Sequence, residues 1–207
     1  VSLTPCRGIV EPAELPRSDG SSMHEIAGSR RYTSTAILTA EQRVLALADH
    51  RHGRVVDPST IALTLLEDAA NGVQLGQDQA AMLRELAGSG ARVQLALAPA
   101  GTGKTVTMRA LAHAWTASGG NVISLAPSAA AARVLGEELG DQAIAADTLA
   151  KLVHAVTTGT AVPAWFDAIG QNTLLIVDEA GMAGTLDLAT AVDHVVTRGG
   201  SVRLVGD

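Results

Sequence analysis

The sequence predicts an α/β protein in which a parallel sheet carries helices on both faces. From residue 93 onward, short apolar and β-branched runs alternate with helical patterns, which is typical of βαβ units and parallel sheets. Glycines follow three of the helical patterns, at Gly119-Gly120, Gly140 and Gly199-Gly200, where glycine readily ends a helix. Apolar residues make up 47% of the chain and aromatic residues only 2%, so the core is expected to consist of Ala, Val, Leu and Ile.

Two regions precede this alternation. Residues 1–33 contain three prolines and a Ser/Gly-rich stretch without periodicity, so we expect a linker or arm there. Residues 34–72 are expected to form a small helical subdomain of two helices. Thr39 and Gln42 have the spacing of a capping box, and Asp57-Pro58 is typical of an N-cap followed by proline at the first helical position. Because neither helix buries much surface alone, both must pack on another part of the chain.

Residues 73–207 hold the main domain, which begins with a helix predicted over 77–87. The predicted strands cover 93–98, 122–126, 173–177 and 201–205, and the predicted helices between them cover 104–117, 129–139, 148–156 and 185–198. Ligands of such sheets bind beyond the carboxyl ends of the strands. The polar motifs of this sequence lie at those ends.

Charge and hydropathy indicate which partners and which cellular location to expect. The net charge of −6 argues against uniform electrostatic coating of nucleic acid, but it leaves room for a local groove. No apolar run approaches the roughly 18 residues that a membrane span needs, and the first residues lack the features of a signal peptide. We therefore expect a cytoplasmic protein without a membrane partner. Since the chain begins with Val1 and ends in a strand pattern, we expect it to be part of a longer protein.

A glycine-bearing loop follows the first predicted strand. Its residues are Ala98-Pro99-Ala100-Gly101-Thr102-Gly103-Lys104-Thr105, and a helical pattern comes next, which is the context of a phosphate-binding loop. The glycines let backbone N–H groups approach phosphate oxygens, and the helix N-terminus adds positive partial charge. Lys104 is expected to contact the β- and γ-phosphates, and the Thr105 hydroxyl to bind Mg²⁺. The full motif begins with glycine, where this chain has Ala98. We predict that the chain binds a nucleoside triphosphate.

Two acids end a later apolar strand. Asp178 and Glu179 directly follow the run Leu174–Val177. Alone, such a pair is often a helix cap. Together with the phosphate loop, it indicates that Asp178 holds Mg²⁺ through its water shell and that Glu179 orients and polarises the attacking water.

Several motifs, in order, resemble those of one family, the helicase domain of TraI/TrwC-type (MobF) conjugative relaxases. These are superfamily 1 DNA helicases related to the RecD group. The similar segments are Leu75–Gln79 (Q-motif), 99–105 (Walker A), 126–131 (motif Ia), 147–149 (the following motif), 178–185 (Walker B) and 206–207 (the opening of motif III). The resemblance implies the first RecA-like domain, truncated at motif III.

The resemblance also implies roles for individual residues. Gln79 would recognise adenine, and the ATP-contacting residues would be Pro99, Ala100, Gly101, Thr102, Gly103, Lys104, Thr105 and Val106. Ser128 and Thr148 would line the path of single-stranded DNA. From their positions alone, both would be interpreted as ordinary N-caps, and it is the resemblance that favours the DNA path. Trp165 and Phe166 lie in an irregular stretch, where they would form a local apolar plug or stack on a base.

The function implied by the resemblance is ATP-dependent translocation along single-stranded DNA, with ATP and Mg²⁺ as cofactors. A second RecA-like domain of the parent chain would supply arginine fingers, so we expect this chain to bind ATP with little turnover. The alternatives are a RecD-like helicase subunit of exonuclease V, a small-molecule kinase with a phosphate loop, and a nucleotide-binding module without helicase activity.

Overall fold

The computed structural model describes residues 33–99 and 101–206. The predicted arm, apart from Thr33, therefore lies outside the described residues, as do Ala100 and Asp207. The strands are β1 (Val93–Leu97), β2 (Asn121–Ala126), β3 (Ala145–Thr148), β4 (Thr173–Val177) and β5 (Ser201–Gly206). The helices are α1 (Thr35–Ala48), α2 (Pro58–Ala70), α3 (Gln77–Gly88), α4 (Lys104–Ala117), α5 (Ala129–Leu139), α6 (Leu149–Thr158) and α7 (Thr185–Thr197). None of these helices is long and apolar enough to cross a membrane.

The five strands form one parallel sheet in the order β1-β5-β4-β2-β3. Every strand pairing is parallel. At the centre of the sheet, Leu175 of β4 lies opposite Ile123 of β2 on one side and Val202 of β5 on the other. Each parallel pair requires a crossover connection, which the helices supply, and the middle strand β4 is buried along its whole length. The predicted fold class, a RecA-like parallel sheet, is confirmed. Because all strands run the same way, their carboxyl ends meet at one edge of the sheet.

Helices cover both faces of this sheet. Alternate residues of β4 point to opposite sides, so that Leu174 and Ile176 join one apolar cluster whereas Leu175 and Val177 join the other. The first cluster packs against α2, α3, α4 and α5, and the second against α1, α6 and α7. The result is a three-layer core in which α4, the helix after the glycine-bearing loop, is anchored by the fully buried Trp115.

The two helices ahead of the main domain pack on opposite faces of the sheet. Helix α1 contacts α7 and β1, whereas α2 contacts α3 and α4. Helix α2 begins as expected, with the Asp57 carboxylate accepting the Ser59 N–H at 2.8 Å. Thr39, in contrast, is not a cap, and that prediction is wrong. Helix α1 begins earlier, where the Ser34 hydroxyl accepts the Ile37 N–H at 3.1 Å. The division at residues 34–72 and 73–207 stays a prediction.

Strand β3 is the element that sequence patterns do not predict. Its four residues, Ala-Ala-Asp-Thr, lack the β-branched and aromatic enrichment of a strand and are only half-buried. The segment is extended because it pairs with β2 along the sheet edge, from Ile123 opposite Ala145 to Ala126 opposite Thr148. This pairing places Thr148 at the carboxyl edge.

A buried arginine joins β5 to the end of α3. Arg203 is fully buried, and its Nε and Nη2 donate to the Leu86 carbonyl at 2.9 and 2.6 Å. Its Nη1 donates to the carbonyls of Ala91 and Val202 at 3.0 Å each. Burial lowers the pKa of Arg203 to about 10, so the guanidinium remains charged at neutral pH. The cation thus binds the negative end of the α3 dipole.

We expect Arg203→Met to lower the free energy of unfolding by about 3 kcal/mol, because the carbonyls of Leu86 and Ala91 would lose charged donors in a buried site. Urea denaturation monitored by circular dichroism measures this change. Arg84→Met, at an exposed position of α3, is the matched control and should have little effect on the free energy of unfolding. Equal stability of the two variants would show that the Arg203 bonds make no net contribution.

Candidate active site

The glycine-bearing loop connects the end of β1 to the start of α4. Gly101 and Gly103 both have φ +79°, a conformation that glycine adopts without strain. The Thr102 hydroxyl donates to the Pro99 carbonyl at 2.7 Å and closes the loop as a turn. A side chain at Gly103 would collide with the amide nitrogen of Gln79. The positive φ therefore favours glycine at both positions, and at Gly103 the Gln79 amide also limits the space.

The Lys104 ammonium lies beside the two acids that follow β4. Its Nζ is 2.8 Å from the Glu179 carboxylate and 3.9 Å from that of Asp178. Strand β5 separates β1 from β4, but the shared carboxyl edge brings their ends together. The Asp178 N–H donates to the Leu125 carbonyl at 2.9 Å, which extends the β4–β2 ladder to this carboxylate. The structure thus assembles a cation and two carboxylates at the mouth of the loop.

Glu179 has a left-handed backbone, with φ +49° and ψ +42°. Such a conformation is uncommon for a residue other than glycine and costs free energy, and it is enriched at functional sites. It turns the chain sharply after Asp178, and the short 3₁₀ turn Ala180–Met182 follows. Two consecutive acids can therefore both approach Lys104.

Thr105 lies in the first turn of α4 and is half-buried, whereas Val106 is 37% exposed. A hydroxyl and a carboxylate are hard oxygen donors of the kind that Mg²⁺ prefers, so Thr105 and Asp178 are chemically suited to hold this ion.

A cavity of about 450 Å³ lies between the loop and the start of α3. Its size is within the range of small-molecule sites. Gln79 bridges the two sides, since its Oε1 accepts the Gly76 N–H at 2.8 Å and its Nε2 donates to the Thr102 carbonyl at 2.7 Å. The lining residues are Gly76, Gln77, Asp78, Gln79, Met82, Leu97, Ala98, Pro99, Thr102, Lys104 and Thr107. The resemblance gives Gln79 the recognition of adenine, but it does not predict these two hydrogen bonds.

Ser128 and Thr148 lie at the carboxyl ends of the adjacent strands β2 and β3, apart from the cavity lining. Both cap helices: the Ser128 hydroxyl accepts the Ala131 N–H at 3.2 Å, and the Thr148 hydroxyl accepts the Lys151 N–H at 3.3 Å. The structure therefore places these two hydroxyls at two neighbouring helix N-termini on the same edge as the loop.

Asp147 organises the end of β3. Its carboxylate accepts the Thr148 N–H at 2.9 Å, the Lys151 ammonium at 2.6 Å and the Trp165 indole N–H at 3.3 Å. Partial burial raises the pKa of Asp147, but these hydrogen bonds and the Lys151 charge outweigh it and the pKa is lowered. The Asp147/Lys151 spacing on a helix start is visible in the sequence, whereas the contact with Trp165 is not.

The neighbouring aromatic residues have different environments. Phe166 is buried, with its ring centroid 4.8 Å from that of His194 and the Arg198 guanidinium 4.9 Å above it. Of the two residues expected to form a local apolar plug or to stack on a base, Phe166 therefore forms the plug. Trp165 is half-buried and tied to Asp147.

The fold and this site define a class of protein. A phosphate loop after the first strand, a buried strand ending in two acids, and a parallel sheet between helical layers are together the features of a RecA-like P-loop nucleotide-binding domain.

Comparison with known proteins identifies the family. Residues 74–207 match the model of a family described as AAA domain, a superfamily 1 helicase-type domain, and the chain belongs to this family. It is 32% identical over 180 residues to a conjugal transfer protein TraA of Rhizobium radiobacter and 30% identical over 181 residues to one of Agrobacterium fabrum, each match covering 86% of this chain. A probable conjugal transfer protein TraA of Sinorhizobium fredii is 31% identical over 134 residues, which are 65% of this chain.

These matches confirm the predicted resemblance to the helicase domain of conjugative relaxases. The chain spans only 15% of the length of the first two relatives and 11% of the third.

The lowered pKa of Asp147 has a consequence for stability. A carboxyl group with a lowered folded-state pKa stabilises the protein above its ordinary pKa, here 3.8, and this stabilisation is lost as the pH falls through the folded-state value. We expect Asp147→Asn to be less stable than the unsubstituted protein at neutral pH, with a difference that narrows as the pH is lowered below 3.8.

Denaturant titrations over a pH series measure this difference, with exposed Asp141→Asn as the control. The same pH dependence in both variants would contradict the expectation.

Proposed function

We propose that this chain is the ATP-binding domain of an ATP-dependent helicase that translocates along single-stranded DNA, as part of a conjugative relaxase. The observation that carries the proposal is the Lys104 ammonium, held 2.8 Å from Glu179 and 3.9 Å from Asp178 at the mouth of a phosphate loop. These groups are the ones that phosphoryl transfer to water requires, gathered on one edge of the sheet.

The triphosphate would be bound by the loop and Lys104. Backbone N–H groups around Gly101 and Gly103, together with the N-terminus of α4, offer positive partial charge to phosphate oxygens. Lys104 would contact the β- and γ-phosphates. Mg²⁺ held by Thr105 and Asp178 would neutralise phosphate charge during the reaction. The position of these residues at the carboxyl edge supports each of these roles.

Glu179 would act on the attacking water. In the structure, its carboxylate is paired with Lys104. When Lys104 turns to the phosphates, Glu179 loses this partner and its carboxylate becomes able to orient a water molecule and accept its proton. Binding of the substrate would in this way prepare the general base.

Gln79 would contact the adenine base from the start of α3. Its amide already joins Gly76 to Thr102 in the phosphate loop, so the same side chain would connect base recognition to the position of the loop. The adjoining cavity offers Met82 and Leu97 as apolar surface for a ring.

Turnover by the chain alone is expected to be slow. Among the described residues, Lys104 is the only cation that lines the cavity. An arginine finger is worth roughly 10³–10⁵ in rate in related enzymes, and we propose that a second RecA-like domain of the longer protein supplies it.

Two substitutions separate binding from chemistry. Lys104→Ala should weaken binding of a fluorescent ATP analogue with Mg²⁺ by about 10- to 100-fold, because a charge-assisted contact is lost and two carboxylates are left facing the phosphates. Glu179→Gln should retain binding, but it should lower the slow single-turnover hydrolysis by about 100-fold, because the general base is removed.

Arg109→Ala, an exposed position on the same helix as Lys104, is the matched control. Wild-type nucleotide affinity in Lys104→Ala would refute the assignment of the loop.

The effect of DNA on nucleotide affinity tests the helicase proposal against a kinase or a simple nucleotide-binding module. A single-stranded oligonucleotide should tighten binding of the ATP analogue, since linkage requires that two coupled sites affect each other equally. Ser128→Gly should reduce affinity for the oligonucleotide several-fold, because it removes a hydroxyl near the phosphate path while glycine preserves the helix cap to within a few tenths of a kcal/mol.

Fluorescence anisotropy of a labelled oligonucleotide, titrated with and without the ATP analogue, measures both effects because the coupling is reciprocal. Nucleotide binding that is indifferent to the oligonucleotide would argue for a nucleotide module.

A further inference from the structure

Trp165 lies at the carboxyl edge of the sheet in a position that the nucleotide site does not use. Its indole N–H donates to the Asp147 carboxylate at 3.3 Å, and Asp147 is the residue before Thr148 at the end of β3. Part of the ring packs on the apolar cluster beneath α6 and α7, while the residue as a whole remains half-buried. One edge of the ring is thus fixed, and part of its surface is accessible.

The other tryptophan of the chain, Trp115, is part of the hydrophobic core. Trp115 is fully buried, and its indole N–H donates to the Asn172 carbonyl at 2.9 Å. Phe166, next to Trp165, is also buried, and fills the space beside His194 and Arg198. Phe166, and not Trp165, is therefore the buried aromatic residue of this stretch.

The groups around Trp165 suit a phosphate chain. The Lys151 ammonium lies 2.6 Å from the same Asp147 carboxylate, and its side chain is 49% exposed. Thr148 caps the ten-residue helix α6 beside it, where a helix N-terminus favours anions. A cation and a helix start beside an aromatic face are the elements of a single-strand site.

We propose that Trp165 is a stacking platform for one base of a single-stranded nucleic acid, with Lys151 and the start of α6 on the adjoining phosphates. The inference rests on the binding of single-stranded DNA proposed above and on the expectation that Thr148 lines the DNA path. The indole N–H is already bonded to Asp147, so the platform would bind a base by stacking and not by a hydrogen bond from this group. A base of any identity stacks on an aromatic face, so the platform is tolerant of sequence.

Intrinsic fluorescence tests the platform directly, because the sequence contains two tryptophans and Trp115 is inaccessible. An oligodeoxythymidine of about 12 nucleotides should quench the fluorescence of the unsubstituted 207-residue chain. An abasic chain of the same length should not quench it, since it offers phosphates without bases. Trp165→Phe should show no quenching.

Affinity measured by anisotropy of a labelled oligonucleotide gives an independent result. Trp165→Leu should weaken binding about tenfold, as loss of one stacked base does elsewhere, and Trp165→Phe should restore most of the affinity because phenylalanine still stacks. If Trp165 acted only by holding Asp147 in place, Trp165→Phe would bind as weakly as Trp165→Leu, because both lose the indole N–H.

The outcomes separate this inference from the proposed function. Tight binding of the oligonucleotide with unchanged fluorescence, and with unchanged affinity in Trp165→Leu, would overturn the platform and leave the helicase proposal standing. Equal quenching by the abasic chain would also overturn it. No binding of the oligonucleotide by the unsubstituted chain would overturn the proposed DNA contacts and the platform together.

Discussion

The site depends on the ion pair between Lys104 and Glu179, two residues that lie 75 positions apart in the chain. The parallel sheet makes the contact possible, since the ends of β1 and β4 reach the same edge with β5 between them. The Lys104 side chain is only 15% exposed, so its charge needs a partner in this partly buried setting. The carboxylates supply one, and the proposed function requires phosphate oxygens to replace it.

Helix α3 connects the phosphate loop to the sheet. At its start, Gln79 bonds the loop through the Thr102 carbonyl, and at its end the Leu86 carbonyl accepts two hydrogen bonds from buried Arg203. Arg203 belongs to β5, whose last residue, Gly206, accepts the Ala98 N–H at 3.1 Å just before the loop. The loop is therefore braced from both sides by elements that Arg203 holds together.

The carboxyl edge carries two groups of functional candidates side by side. The proposed nucleotide site lies at the ends of β1 and β4, and the proposed DNA contacts lie at the ends of β2 and β3. The hydrogen bond from the Asp178 N–H to the Leu125 carbonyl joins the two groups, because Leu125 lies on the strand that leads to Ser128. The backbone of Asp178 is thus bonded directly to the strand that leads to the proposed DNA path.

Sequence by itself determined the features that depend on local patterns. The alternation of strands and helices, the glycine-bearing loop and the pair of acids after β4 follow from hydropathy, backbone preference and motif spacing, which act over a few residues. These patterns predict roles for Lys104, Thr105, Asp178 and Glu179, and the structure brings Lys104, Asp178 and Glu179 together at one edge. Tertiary structure alone decided the rest. Strand β3 exists because β2 pairs with it, Arg203 is buried because α3 offers it carbonyls, and Trp165 is oriented by Asp147, 18 residues away. These features result from contacts between distant parts of the chain, which short-range patterns do not encode.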